Sequence, residues 1–359
     1  MKHGEINKEI GGKRKLKELF ESRLRRLPDY RASSSVYQYT TAWKRFATWC
    51  GNEEVDVDPW DCSPFLVSLY LTEILENSES PSPVLNMAAA TVFMRKLVRG
   101  EELGLEADIG IMREVARRSF GEREVKRAKV ISEEILLRLV ARFGDASKVE
   151  LQCYQDLAMI LVGIEAHGRF SCIMERLKVE RIDLSNTDFI TCKFDKRKND
   201  QCGKFEPLAT EDTKNALACV PHVRNFIGIT GSTKGPLFRG VDKVGKLTNT
   251  TMKYKQYLDR LRERLVEVGV SAEDSMLYAT HSMRRTGNTT DLSYGVEKNV
   301  RQKKGAWKSM KSMKAYDDEV AACEMRQWRR KETSGSTSVS EKEDLDAFAT
   351  ARFRGQHGL

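Results

Sequence analysis

His281 and Arg284 stand three positions apart in the segment His281-Ser-Met-Arg284, and Trp307 and Tyr316 follow within the same lysine-rich stretch. Each residue type has a use against a phosphate. A guanidinium is a permanently charged planar fork that matches two phosphate oxygens at once. An imidazole can hold or pass a proton near neutral pH. An indole N–H is a donor only. A phenol titrates near pH ~10, so it acts as a nucleophile only beside a base or a group of cations. The four together predict a phosphate-handling site, which leaves open what else the chain supplies to complete it.

The bulk composition narrows the answer. The chain has 359 residues, with 61 Lys+Arg against 52 Asp+Glu, a net charge of +9. The length predicts two domains, and the basic excess is compatible with a nucleic-acid partner. The apolar runs are too short for a membrane span. The N-terminal segment lacks the apolar core of a secretory signal, so an intracellular protein is expected: nuclear in a eukaryote, otherwise cytoplasmic or nucleoid-associated. The eight cysteines form no C-x-x-C pair and histidines number only five. That disfavours a structural zinc site and favours reduced thiols.

Residues 1–32 form a basic N-terminal segment, with ten Lys/Arg against five Asp/Glu. Helical periodicity begins after Ser33–Ser35 with Tyr39, Trp43, Phe46 and Cys50. A second helix opens at Ser63-Pro64, a cap followed by a first-turn proline. A third follows Ser80-Pro-Ser-Pro83, and a fourth spans about residues 109–120, carrying Arg113, Arg117 and Arg118. Residues 33–120 thus read as a four-helix unit. Residues 121–131 are charged and aperiodic, as expected of a linker. Ser132 caps the next helix, and a long apolar helix over about 151–166 ends near Gly168, directly before Arg169. A helical stretch over 170–179, short strands over 181–193, a Lys/Arg-rich hairpin and a return strand over 205–208 follow. The pattern turns helical again from Thr210, and Thr248 is expected to cap a helix running to about Val268. Residues 333–359 are Ser/Thr-rich and expected to be disordered. The fold class predicted is mainly α with a small antiparallel β-sheet.

In this order the residues resemble the tyrosine recombinases of the phage integrase type. Arg169 follows a glycine at a helix junction and precedes an apolar segment, similar to the family's first arginine. Arg197-Lys198-Asn199-Asp200-Gln201 resembles the hairpin that carries the family's lysine. His281-Ser-Met-Arg284 matches its H-x-x-R box, Gly305-Ala-Trp307 its next element, and Tyr316, nine positions beyond Trp307, its nucleophile. The style of these boxes resembles eukaryotic mobile-element recombinases more than bacterial chromosome-resolving ones. The resemblance extends over about residues 33–330, with 33–120 as the helical core-binding domain and 132–332 as the catalytic domain of a two-lobed clamp.

The resemblance implies site-specific DNA strand exchange. Tyr316 would attack phosphorus and form a 3′-phosphotyrosyl bond, and a 5′-hydroxyl would reverse the step. Arg169 and Arg284 would clamp the non-bridging oxygens, where negative charge grows in the transition state. His281 would serve as base or hydrogen-bond partner, and Trp307 would donate its indole N–H. Lys198 would protonate the leaving oxygen, with Lys196 the alternative because sequence does not fix the hairpin register. Metal, ATP and nucleotide cofactors are not required. The partners implied are double-stranded DNA and further copies of the chain, commonly a tetramer, with a C-terminal helix over about 317–331 docking on a neighbour. Neither a membrane nor a small-molecule substrate is implied. In one place the chain departs from the pattern: Cys172 stands where the family often has an orienting acidic residue. That departure keeps a non-catalytic DNA-binding descendant as an alternative, and a topoisomerase-like relaxing enzyme of type IB is the other.

Overall fold

Tyr39, Trp43, Phe46 and Cys50 recur at three- and four-residue spacing, so a helix gathers them on one face. In the computed structural model that helix, α1, spans Ser33–Cys50, and Phe46 and Cys50 are fully buried. The structure describes residues 33–52, 55–99, 106–121, 127–194, 208–213, 215–242 and 244–334, along with Glu18, Leu19, Ser22 and Arg26. The chain divides into two compact units, Met1–Lys126 and Arg127–Leu359.

In the first unit α1 is followed by α2 (Pro64–Glu76), α3 (Ser82–Arg99) and α4 (Glu106–Phe120). The Ser63 side chain accepts a hydrogen bond from the Leu66 N–H, satisfying one free donor at the start of α2, and Pro64 follows as the first helical residue. Helix α1 packs on α3, and α2 on α4. Trp43 meets Phe46 and Trp60 at centroid distances of 5.4 and 4.6 Å, and Phe46 meets Tyr70 at 5.2 Å. Burying a side chain such as Phe46 is worth ~1.5–3 kcal/mol. Buried Arg95 donates to the Cys62 carbonyl at 2.6 Å and so ties the entry of α2 to α3.

The second unit is built around α6 (Leu151–Glu165), which is buried without interruption from Tyr154 to Ile164. Helix α5 (Glu133–Phe143) starts at a Ser132 cap and packs against it through Leu136, Leu139 and Phe143. A helix buried all round must satisfy its own polar residues. Asp156 accepts two bonds from Arg260, at 2.8 and 2.6 Å, with Arg264 at 3.3 Å. These two arginines lie on α8 (Tyr254–Glu267) and bind it to α6. Gln155 exchanges two hydrogen bonds with the Arg239 backbone and so holds the strand that begins there.

Three strands, β1 (Ile182–Asp183), β2 (Phe189–Cys192) and β3 (Leu208–Glu211), form an antiparallel sheet with β2 in the centre. Phe189 pairs with Glu211 and Cys192 with Leu208. The lysine hairpin expected between β2 and β3, with Lys196 and Lys198, lies outside the described residues. A second sheet pairs β4 (Arg239–Val241) with β5 (Leu247–Thr251).

The structure corrects three of the expected elements. Thr248 caps no helix but lies inside β5, where its hydroxyl donates to the Gly240 carbonyl. The run Thr248-Asn-Thr-Thr251 is rich in β-branched residues, and Gly245, at φ 83°, permits the turn that returns it to β4. Residues from Thr210 continue β3, and α7 begins only at Cys219, ending at Thr230. Residues 170–179 form a π-helical turn, Ser171–Glu175, and a short 3₁₀ turn, Val179–Arg181, in place of a regular helix.

The remaining helices are α9 (Ala272–Ser275), α10 (Ser282–Ser293), α11 (Lys298–Lys304), α12 (Met310–Lys314) and α13 (Glu319–Ser334). Helix α10 crosses α6 at close range: a Cβ built on Gly287 would fall 2.1 Å from the Ile164 carbonyl oxygen. Helix α13, which extends past the expected start of the tail, packs on α10 of its own chain through Ala322 and Met325. Its Arg329 donates to Ser293 at 2.6 Å and lies over the Tyr294 ring at 3.7 Å. Residues 335–359 of the expected tail lie outside the described residues. The linker expected over 121–131 ends inside the second unit, where Ile131 is fully buried and its N–H donates to Thr286.

Candidate active site

Arg169 sits immediately beyond α6, on the turn that opens the π-helical segment. Gly168 makes that turn possible: a Cβ there would meet Ile173 at 2.5 Å. Phe170 anchors the same turn on α8, 5.4 Å from both Tyr254 and Tyr257. The Arg169 side chain is half-buried and has no carboxylate partner among the described residues.

Arg284 lies in the first turn of α10 and is 2% exposed. Its guanidinium donates to two backbone carbonyls, those of His167 and Gly305, the latter at 2.8 Å. It lies over the Trp307 ring at 3.9 Å and faces the Tyr316 ring at 5.1 Å. Burial first, then the positive charge of Arg169, pulls its pKa down to about 9, while the hydrogen bond with Tyr316 works the other way. Two cations are thus held close together without a carboxylate among the described residues to neutralise either, an arrangement that an anion would relieve.

Trp307 is 3% exposed, and its indole N–H has no hydrogen-bond partner among the described residues. The ring rests directly on Gly305, where a Cβ would fall 1.9 Å from the indole. Ala306 between them takes a φ of 48°, in the left-handed region. Tyr316 follows α12, half-buried, with its ring 5.6 Å from that of Trp307 and 6.3 Å from that of His281. His281 is exposed at the N-cap position of α10.

Of the six residues singled out by sequence, the structure therefore gathers Arg169, His281, Arg284, Trp307 and Tyr316 around one point. Lys198, with its alternative Lys196, is not described. Cys172 is buried close enough to Arg284 to act on its charge.

The residues that hold the tyrosine in place were not anticipated. Asp317 accepts from Asn288 at 2.9 Å and from the buried Arg301 at 2.7 Å, and Asp318 accepts from Arg285 at 2.7 Å. The chain just past Tyr316 is thereby tied to α10 and α11 of the same molecule. Asp317 and Asp318 adjoin the tyrosine in sequence, which was the available clue. Arg301 carried no signal beyond being one lysine-rich segment's single arginine.

Among the described residues, no group of three or more His, Cys, Asp or Glu is placed to hold a metal ion. No described helix is long and apolar enough to cross a membrane.

The arrangement suits an attack on phosphorus. Arg284 and Trp307 lie beside the Tyr316 phenol, with Arg169 close enough to act on the Arg284 charge, and such cations would meet charge developing on phosphate oxygens. Comparisons with known proteins show a likeness in sequence and in fold. No protein-family model matches the chain. It is similar to an integrase/recombinase XerD homolog of Selenomonas ruminantium, 24% identical over 306 residues, covering 81% of this chain and 83% of the relative. Its fold is similar to that of the XerH site-specific recombinase bound to a palindromic difH substrate in a post-cleavage complex. That similarity has a TM-score of 0.52 at 11% identity and covers 83% of this chain and 78% of the other. A pre-cleavage complex of the same recombinase matches with a TM-score of 0.50 at 11% identity, covering 79% and 75%. In sequence and in fold the chain is thus similar to tyrosine recombinases (integrases).

Proposed function

We propose that this protein is a site-specific DNA recombinase that cleaves and rejoins DNA strands through a 3′-phosphotyrosyl intermediate. The observation that carries the reading is the contact of Tyr316 with Arg284: the one phenol at the spacing of a nucleophile faces a buried guanidinium that has no counter-ion among the described residues. Tyr316 attacks phosphorus and the 5′-oxygen leaves. Arg169, Arg284 and the Trp307 N–H stabilise the charge on the non-bridging oxygens. His281, beside the Tyr316 ring, takes up or shares the phenolic proton. Lys198, or Lys196, protonates the leaving oxygen. A free 5′-hydroxyl then attacks the phosphotyrosine in the reverse sense, so metal and nucleotide hydrolysis are not called for.

The substrate is double-stranded DNA. The helical unit over residues 33–120 and the catalytic domain over 132–332 bind it as a clamp, and several copies, in a tetramer, assemble on two duplexes. Neutralising phosphates releases counterions, so affinity for DNA should fall steeply with salt. The eukaryotic mobile-element type rests on the style of the His281-Ser-Met-Arg284 and Gly305-Ala-Trp307 boxes alone, and the comparisons lend it no support. The relative named above is a protein of Selenomonas ruminantium.

Nicked duplexes test the reading. Attack next to the nick releases a short strand that cannot return, which traps the covalent adduct. Wild type should accumulate the adduct and Tyr316→Phe should bind DNA equally well without forming it. An undiminished adduct in Tyr316→Phe would remove Tyr316 as nucleophile. Binding without any adduct would favour the non-catalytic DNA-binding reading that Cys172 raises. Relaxation of supercoiled DNA by a monomer, independent of sequence, would favour the topoisomerase-like one.

A further inference from the structure

Arg284 is aimed by backbone carbonyls, and one of these belongs to an unusual residue. His167, whose carbonyl accepts from Arg284, has a φ of 42° and is fully buried. A non-glycine residue held in the left-handed region is strained, a cost that glycine would avoid. The side chain supplies a reason for histidine to occupy the position. Its Nε2 lies 2.9 Å from Oδ2 of Asp291, itself 1% exposed. Asp291 is on α10, two turns beyond Arg284 and on the same face. Lys304 reaches Asp291 at 3.5 Å and Glu165, the last residue of α6, at 2.7 Å. The imidazole also lies 5.6 Å from the Trp307 ring. A buried polar network thus joins the end of α6, helix α10, helix α11 and the indole that supports Arg284. It does so beside Cys172, the position where an acidic side chain was expected to orient the arginines.

We propose that His167 and Asp291 form a positioning pair that does this orienting from one layer further back. Asp291 fixes the imidazole and the imidazole fixes the backbone over residues 166–169. That backbone aims the Arg284 guanidinium through the His167 carbonyl and presents Arg169. Neither residue touches the phosphate. The inference rests on the strand-cleavage reading for its effect on rate, but not for its effect on anion binding.

Two readouts keep those apart: adduct formation in a single turnover on a pool of nicked duplexes of randomised sequence, and the rise in melting temperature caused by inorganic sulfate. His167→Gly suits the left-handed backbone and should fold. With the guanidinium misplaced, adduct formation should slow on the order of 10²-fold at saturating DNA, with DNA affinity little changed. The sulfate-induced rise in melting temperature should also shrink. Asp291→Ala should behave alike. Asp291→Asn, whose amide oxygen still accepts from the imidazole N–H, should recover most of both signals. Wild-type adduct rates and sulfate responses in His167→Gly and Asp291→Ala would overturn the proposal. So would an Asp291→Asn that fails as Asp291→Ala does, with losses that merely track a fall in melting temperature. If wild type itself forms no adduct, the strand-cleavage reading fails, and the sulfate response alone decides on the positioning pair.

Discussion

The guanidinium of Arg284 lies 3.9 Å from the centre of the Trp307 ring, while the indole N–H of that ring is buried without a hydrogen-bond partner among the described residues. The flat face serves the arginine in the free protein, and the edge is left for something else. A buried unsatisfied donor costs ~1–3 kcal/mol. Trp307→Phe keeps most of the face and removes the donor. It should therefore leave stability unchanged or slightly higher in urea unfolding, while slowing adduct formation about tenfold, as expected for one lost hydrogen bond to charge in the transition state. A Trp307→Phe variant with wild-type cleavage would confine the indole to packing.

Arg284 itself should show opposite effects on stability and function. Its folded pKa, near 9, lies below the ordinary guanidinium value because of burial and of Arg169. A base with a lowered folded pKa binds fewer protons in the native state than in the unfolded one. The cation thus lowers stability below pH ~9, and stability from this group rises as pH increases beyond that toward the higher unfolded value. Arg284→Met removes the buried charge, so it should flatten the rise above pH ~9 in chemical denaturation. It should also abolish stabilisation by sulfate, which in wild type grows as RT ln(1 + [L]/Kd). Adduct formation should fall by about 10²–10³. Arg284→Lys should not restore it, because an ammonium cannot make both carbonyl bonds and lie flat on Trp307.

Gly305 is the sharpest steric requirement at the site. A methyl group at this position would meet the Trp307 ring at 1.9 Å. Gly305→Ala should expel the indole from its seat, costing ~1–3 kcal/mol from overpacking. It should also shift tryptophan fluorescence toward the exposed state. Because the Gly305 carbonyl holds Arg284, cleavage should drop more than Trp307→Phe alone produces. Unchanged fluorescence and cleavage would mean that the loop yields without consequence.

What the sequence made legible follows from how local each signal is. The H-x-x-R pair, Trp307 and Tyr316 are spaced within a short stretch, and residue type alone suggested phosphate chemistry. The four helices of the first unit follow from apolar periodicity and from caps such as Ser63. The strand over Leu247–Thr251 was misread because Thr248 resembles an N-cap, whereas pairing with β4, a non-local partner, decides its state. The His167–Asp291 contact joins residues distant in sequence, and neither carries a motif. The π-helical turn after Arg169 likewise depends on packing that no local pattern encodes.

Asp317, next to the tyrosine, offers the last test, because its partner Arg301 is 1% exposed. Arg301 donates to Asp317 at 2.7 Å and to Asn288 at 3.1 Å, and Asp317 is only partly exposed. Removing one partner of a buried pair leaves the other charge uncompensated, typically at ~3–5 kcal/mol. Asp317→Ala should lie toward that range. Asp318→Ala should cost less, on the order of 1 kcal/mol, because the Asp318–Arg285 pair is nearer solvent and water can replace the lost carboxylate. The consequence for Tyr316 separates anchoring from mere stability. The double variant Asp317→Ala with Arg301→Met removes both charges and should regain much of the stability. It would still lack the tether between α11 and the segment that carries Tyr316, so adduct formation should stay low. Recovery of both stability and cleavage in that double variant would show that the tether is not what places the tyrosine.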